Sequence, residues 1–198
     1  RLAVRPRVGQ RHAAHPDQES RHRAAPPPEA FEGVRMTTPN ISGRMDNLRA
    51  AILRPQLREL GERRDRWNAL YRAMEDGLRA TPALRLIDRP AAETYVGSSF
   101  QFLLPDWPAE AVEALLSRCA ARGVEIKWFG ADQPVAFTSR HDHWAYLPRQ
   151  PLPQTDRILA GLIDLRLPLT FTPDDSAQIA RIVRAEVSAV WQGLAGAA

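Results

Sequence analysis

The 198-residue chain (22.2 kDa) is long enough for one ordinary domain, or for one domain with a substantial extension; 44% hydrophobic and 25% charged residues support a packed core and exclude wholesale disorder. The formal charge of +4 comes almost entirely from arginine, because only Lys127 among 27 basic residues is a lysine, so Schiff-base chemistry has a single candidate side chain here. A lone cysteine, Cys119, excludes an internal disulfide and a cysteine-built zinc cage, and the lack of both a leader-like apolar run and any stretch near the ~18–20 apolar residues of a membrane span makes a cytoplasmic protein the expectation.

Residues 1–35 differ from the rest. They hold seven arginines against four acids, the run Pro26-Pro27-Pro28, and few large apolar residues in no regular period; this reads as a basic, proline-rich, poorly ordered arm. A nucleic-acid tail is one use for such an arm, but no aromatic residues interleave with its arginines to stack on bases. From Met36 to the end the pattern is that of a folded domain, 36–198. Leu53, Leu57, Leu60, Trp67, Tyr71, Met74 and Leu78 recur at helical spacing and predict one long helix ending at Thr81-Pro82, with Pro55 near its start as a kink or first turn. Alternation over Val96–Leu104 predicts a strand. Asp106 is the expected cap of a helix with Pro108 at its first position, Val112, Leu115, Leu116 and Cys119 on its apolar stripe, and Gly123 as its stop.

Val124, Ile126 and Trp128 alternate as a second strand, with Lys127 on the opposite face as a cation suited to an anionic substrate or carboxylate. The stretch from Phe129 to Pro153 lacks a period and gathers polar and aromatic groups. A short helix through Leu162 follows, then a strand at Ile163, Leu165 and Leu167. Thr172-Pro-Asp-Asp175 opens the last helix with a cap, a first-turn proline and two acids favoured by the helix dipole. The order predicts an α+β fold: a small, mostly antiparallel sheet with helices on one face and one long N-terminal helix.

His141-Asp-His143 has metal-ligand spacing but lacks the third and fourth ligands a metal needs, so no metal site is expected. Neither a nucleophile elbow, nor a dinucleotide-binding glycine fingerprint, nor a phosphate-binding P-loop is present. No residue of this chain is therefore assigned as catalytic. The candidates for the substrate side are Lys127, Trp128 and Phe129 together with Arg140, His141 and His143.

Ser42-Gly-Arg-Met-Asp-Asn-Leu-Arg-Ala-Ala-Ile52, followed by Gln56-Leu-Arg-Glu-Leu60, resembles the stretch of the DegT/StrS-type sugar aminotransferases in which an N-x-R-M segment opens a long helix. The likeness continues through Arg66 and Tyr71, then at Arg122-Gly-Val124, Asp164-Leu-Arg-Leu-Pro-Leu169 and Thr172–Asp175, covering about Phe31 to Leu194. The resemblance implies the C-terminal part of a fold-type-I enzyme that uses pyridoxal 5'-phosphate and moves an amino group, usually from glutamate, onto a keto sugar nucleotide or related ketone. It implies a homodimer, and it places the cofactor lysine in an N-terminal large domain that has no counterpart here. The family's N-x-R-M asparagine reaches the cofactor phosphate of the neighbouring subunit. Its matching position is Ser42, with Asn40 two residues earlier, and either side chain is suited to donate to a phosphate; Arg44 matches the motif arginine. A non-catalytic remnant serving as a dimerisation or protein-interaction module is the alternative, and it predicts an exposed apolar patch where a large domain would pack.

Overall fold

The computed structural model describes Thr37 and residues 45–135 and 138–197. The expected arm over 1–35, the candidate phosphate ligands Asn40 and Ser42, and Arg44 lie outside the described residues. Two consecutive helices come first, α1 (Asn47–Arg58) and α2 (Leu60–Leu78). Asp46 caps α1 by accepting a hydrogen bond from the Arg49 backbone N–H at 2.7 Å. The single long helix expected from the spacing is thus broken, and the break falls at Glu59, not at Pro55. Pro55 lies inside α1, where it removes one backbone donor; one turn later the Glu59 N–H folds back onto the Gln56 carbonyl at 3.2 Å.

Four short strands follow: β1 (Arg85–Leu86), β2 (Ser99–Leu103), β3 (Lys127–Trp128) and β4 (Leu162–Arg166). They form one antiparallel sheet in the order β1-β2-β4-β3. The second predicted strand is shorter than its alternation. Val124 and Ile126 are buried, but only Lys127 and Trp128 pair with β4. Helix α3 (Ala109–Ala121) joins β2 to β3, α4 (Pro153–Gly161) precedes β4, and α5 (Pro173–Ala197) closes the chain. The expected cap of α3 is corrected: Pro108 occupies the cap position, while Asp106 sits in the preceding turn at φ +60. Gly123, at φ +78, supplies the left-handed residue that ends α3. At the start of α5, Thr172 and Asp175 bond each other reciprocally as the sequence implies.

Register sorts the two faces of the sheet. Phe100 opposes Leu165, and Phe102 opposes Ile163, which also opposes Trp128. These side chains share one face and are buried with Met74, Leu78, Val112, Leu115, Val183 and Val187 of α2, α3 and α5. Each large apolar side chain buried this way contributes about 1.5–3 kcal/mol. Helices α2 and α5 pack closely enough that a β-carbon added at Gly77 would come within 2.5 Å of the Ala180 β-carbon. Trp67 and Arg66 of α2 donate to the carbonyls of Leu167 and Leu169 at 3.0 Å each, tying α2 to the exit of β4. Glu186 of α5 receives Arg118 of α3 and Arg122, the residue that follows α3, at 2.6 and 2.8 Å. Cys119 lies fully buried on the α3 stripe, and burial raises its thiol pKa to about 11. No described helix is long and apolar enough to cross a membrane.

Helix α1 is different in kind. It has no buried residue, and Leu48, Ile52, Leu53 and Leu57, with Met45 before them and Leu60 after, are all exposed.

Candidate functional site

The loop between β3 and α4 gathers polar groups because its own arginine organises it. Arg140 grips the carboxylate of Asp142 through two bonds of 3.0 and 2.7 Å and reaches Asp132 at 3.2 Å. The two-pronged contact matches guanidinium geometry to a carboxylate. It raises the Arg140 pKa further and lowers that of Asp142 to about 2, from an ordinary 3.8, chiefly through the Arg140 hydrogen bond. The clasp brings His141–His143 into one turn of 3-10 helix. His143 then accepts the Arg140 backbone N–H on Nδ1 at 3.2 Å, which leaves its proton on Nε2, a buried atom with no partner among the described residues. His141 faces the other way, with Nε2 at 2.6 Å from the carboxylate of Asp156 in the first turn of α4.

Together Arg140, His141, Asp142, Arg149, Gln150 and Asp156 line a cleft of about 550 Å³. It offers cationic and hydrogen-bonding groups held by matched carboxylates, which is a surface for a polar, anionic small molecule. Arg140 and His141 therefore meet at one cleft, with His143 fixed just behind them.

The other three candidates stand elsewhere. Trp128 is 8% exposed, faces the core, and donates its indole N–H to the Ala160 carbonyl at 2.8 Å. Phe129 donates its backbone N–H to Leu162 and extends the β3–β4 pairing. Lys127 lies on the face away from the helices, opposite Asp164, with its ammonium 3.7 Å from Glu125. It lines a separate cleft of about 280 Å³ walled by Val124, Leu165, Phe171 and Ile179. No hydroxyl side chain and no aspartate lines that cleft among the described residues. The cleft beside Lys127 thus lacks the hydroxyl phosphate donors and the pyridine-nitrogen partner that a pyridoxal 5'-phosphate site requires, and no reaction step is routed through that cofactor in this chain.

Two carboxylates that meet the loop cluster, Asp132 and Asp156, escape sequence reasoning, because nothing in local spacing says that an aspartate meets an arginine 8 residues away or a histidine 15 residues away. Asp164 carries a signal in the sequence itself, as the single charge among the apolar residues Leu162, Ile163 and Leu165 of a strand.

A model of the DegT/DnrJ/EryC1/StrS aminotransferase family matches residues 15–184. Among solved structures, the chain is similar to the aminotransferase TlmJ from Streptoalloteichus hindustanus, at 23% identity and a TM-score of 0.62 over 76% of this chain and 40% of that one. It is also similar to 3-amino-5-hydroxybenzoic acid synthase, at 19% identity and a TM-score of 0.59 over 81% of this chain and 46% of that one. DesV of S. venezuelae matches at 21% identity and a TM-score of 0.57, over 81% and 44%. At these identities the likeness is one of fold. The chain spans less than half the length of each of these proteins. No curated protein matches it.

Proposed function

From the premise that this chain belongs to the DegT/DnrJ/EryC1/StrS aminotransferase family, we propose that it serves as the C-terminal part of a pyridoxal-phosphate-dependent sugar aminotransferase. In this reading the amino donor is glutamate, the acceptor is a keto sugar nucleotide or a related ketone, and the working unit is a homodimer. The observation that carries the reading is the family match over residues 15–184, joined to a fold shared with the aminotransferase TlmJ over 76% of this chain. The Arg140–His141 cleft, with Arg149 and Gln150, would contribute the substrate side: its cations suit phosphate or carboxylate groups. Asn40 or Ser42 would meet the cofactor phosphate. The cofactor would supply carbanion stabilisation from a lysine outside this sequence.

The test is chemical. Purified chain is incubated with pyridoxal phosphate, reduced with borohydride, and mapped by peptide mass. We expect no stoichiometric adduct on Lys127 and no aldimine absorbance. A stoichiometric Lys127 adduct would overturn the assignment of the catalytic lysine to another domain.

A second reading, an interaction module, is favoured by one observation: the apolar row on α1 has no cover among the described residues. Both readings give that row the same use, as the seat of further polypeptide. They differ in whether the assembled partner carries out transamination.

A further inference from the structure

Helix α4 borders two clefts. Asp156 and Ala160 line the one that holds Arg140 and His141. Gln154, Arg157, Ile158 and Gly161, at the i, i+3, i+4, i+7 spacing of one helical face, line a second cleft of about 330 Å³. Arg85 of β1, Leu103 at the end of β2, and Pro105 and Asp106 in the turn after it complete the lining. The walls are tied together. Arg85 is the register partner of Leu103, and Leu103 is also the partner of Leu162, the residue that follows α4. The Leu104 N–H bonds the Gly161 carbonyl at 2.9 Å, and a β-carbon added at Gly161 would strike the Leu104 carbonyl, so α4 meets the end of β2 backbone to backbone.

The charges of this cleft are uncommitted. Across α4, Arg140 and His141 are each held by carboxylates. Here neither guanidinium, nor the Asp106 carboxylate, nor the Gln154 amide makes a side-chain hydrogen bond or ion pair among the described residues. Asp106 also holds a left-handed backbone, at φ +60, which glycine adopts more cheaply, so a carboxylate stands there at a conformational cost. Ile158 lines the same cleft and is 50% exposed. Two guanidiniums against one carboxylate leave a single positive charge, the complement of a monoanion, and guanidinium forks match the two oxygens of a carboxylate. The apolar lining suits a hydrocarbon body, while Asp106 opposes any second negative charge.

We propose that this cleft binds a small organic monocarboxylate. Arg85 and Arg157 hold its carboxylate, Leu103, Pro105 and Ile158 take its hydrocarbon part, and Asp106 excludes more highly charged anions such as phosphate. The proposal stands apart from the transaminase reading, because it uses no residue given a role there.

The probe is sodium isocaproate, titrated into the full 198-residue chain at constant ionic strength and followed by amide nitrogen–proton NMR. Saturable shifts are expected at the backbone amides of Arg85, Leu104, Asp106 and Arg157. The neutral isostere isocaproamide and inorganic phosphate should each bind about fivefold more weakly or less, the scale of one exposed charge contact. Arg85→Gln and Arg157→Gln should each weaken isocaproate by a similar factor, about fivefold. Both arginines are exposed and unpaired among the described residues, so these variants should keep the fold. Arg72→Gln, at an equally exposed arginine of α2, should leave isocaproate binding unchanged. Asp106→Asn, which keeps a side chain tolerant of the left-handed backbone, should raise the affinity for phosphate. The absence of saturable shifts, equal binding of isocaproamide, or arginine variants no weaker than Arg72→Gln overturns the site. Phosphate binding as tight as isocaproate, or unchanged by Asp106→Asn, overturns the monocarboxylate assignment. The isocaproate and isocaproamide comparison needs no variant, so it decides even if a substitution fails to fold.

Discussion

At the scale of single residues, two glycines of the same helix respond in opposite directions to the same change. Gly77 of α2 faces Ala180 of α5, where a new β-carbon would sit at 2.5 Å, whereas at Gly61 nothing lies within 4 Å. Alanine gains up to about 1 kcal/mol of helix propensity at either site, but overpacking a tight helix contact costs about 1–3 kcal/mol. Gly77→Ala should therefore lower the urea midpoint and Gly61→Ala should raise it slightly; the same sign for both would contradict the close α2–α5 packing. Neither distance is legible in a sequence. What the sequence did carry at this scale were the local devices: Gly123 as a helix stop, Thr172 with Asp175 as a cap, and Cys119 as a core thiol. Each depends on neighbours within a turn or on a helical stripe, so spacing is enough to find it.

At the scale of elements, the loop of the candidate cleft is closed by a carboxylate, and this makes it acid-sensitive. Asp142 has a folded pKa below its ordinary value, so the stability it provides is fully present above about pH 4 and is lost as pH falls toward its folded value of about 2. The near-ultraviolet dichroism of Trp144, which donates to Ser139 at 3.1 Å and stacks on Tyr146, should report an acid transition in that window. Asp142→Asn should abolish the transition; persistence of the transition unchanged in that variant would remove Asp142 as its cause. The reading of elements from sequence failed where period and pairing part company. Val124, Ile126 and Trp128 alternate faithfully and are all buried, yet alternation reports which way a side chain faces and not whether the backbone finds a ladder. Likewise Leu53 and Leu57 continue the stripe of α2 in phase, but they stand on α1, beyond the break at Glu59, and are exposed. Strand β1, at two residues, is too short to carry a period at all.

At the scale of the whole molecule, the apolar row on α1 and the family's greater length point the same way. The chain spans 40–46% of the three structures it resembles, and the row from Met45 to Leu60 has no buried member. The chain by itself should self-associate through that row. Replacing Leu48 and Leu57 together with glutamate should abolish the association seen by light scattering while leaving the thermal midpoint nearly unchanged, because surface changes away from packed contacts usually stay within about 0.5 kcal/mol. A lowered midpoint with unchanged association would place the row in the fold and not at an interface.

The packing of α2 against α5 also bears on how the molecule is made. Trp67 bonds to Leu167, a separation of 100 residues, and the core of α2 is completed by Val183 and Val187. Strand β4, the central partner of both β2 and β3, is the last strand in the chain. During synthesis the earlier helices and strands must therefore wait, their apolar faces uncovered, until β4 and α5 have emerged; contacts so distant in sequence make folding slow and leave the nascent chain open to capture by other molecules.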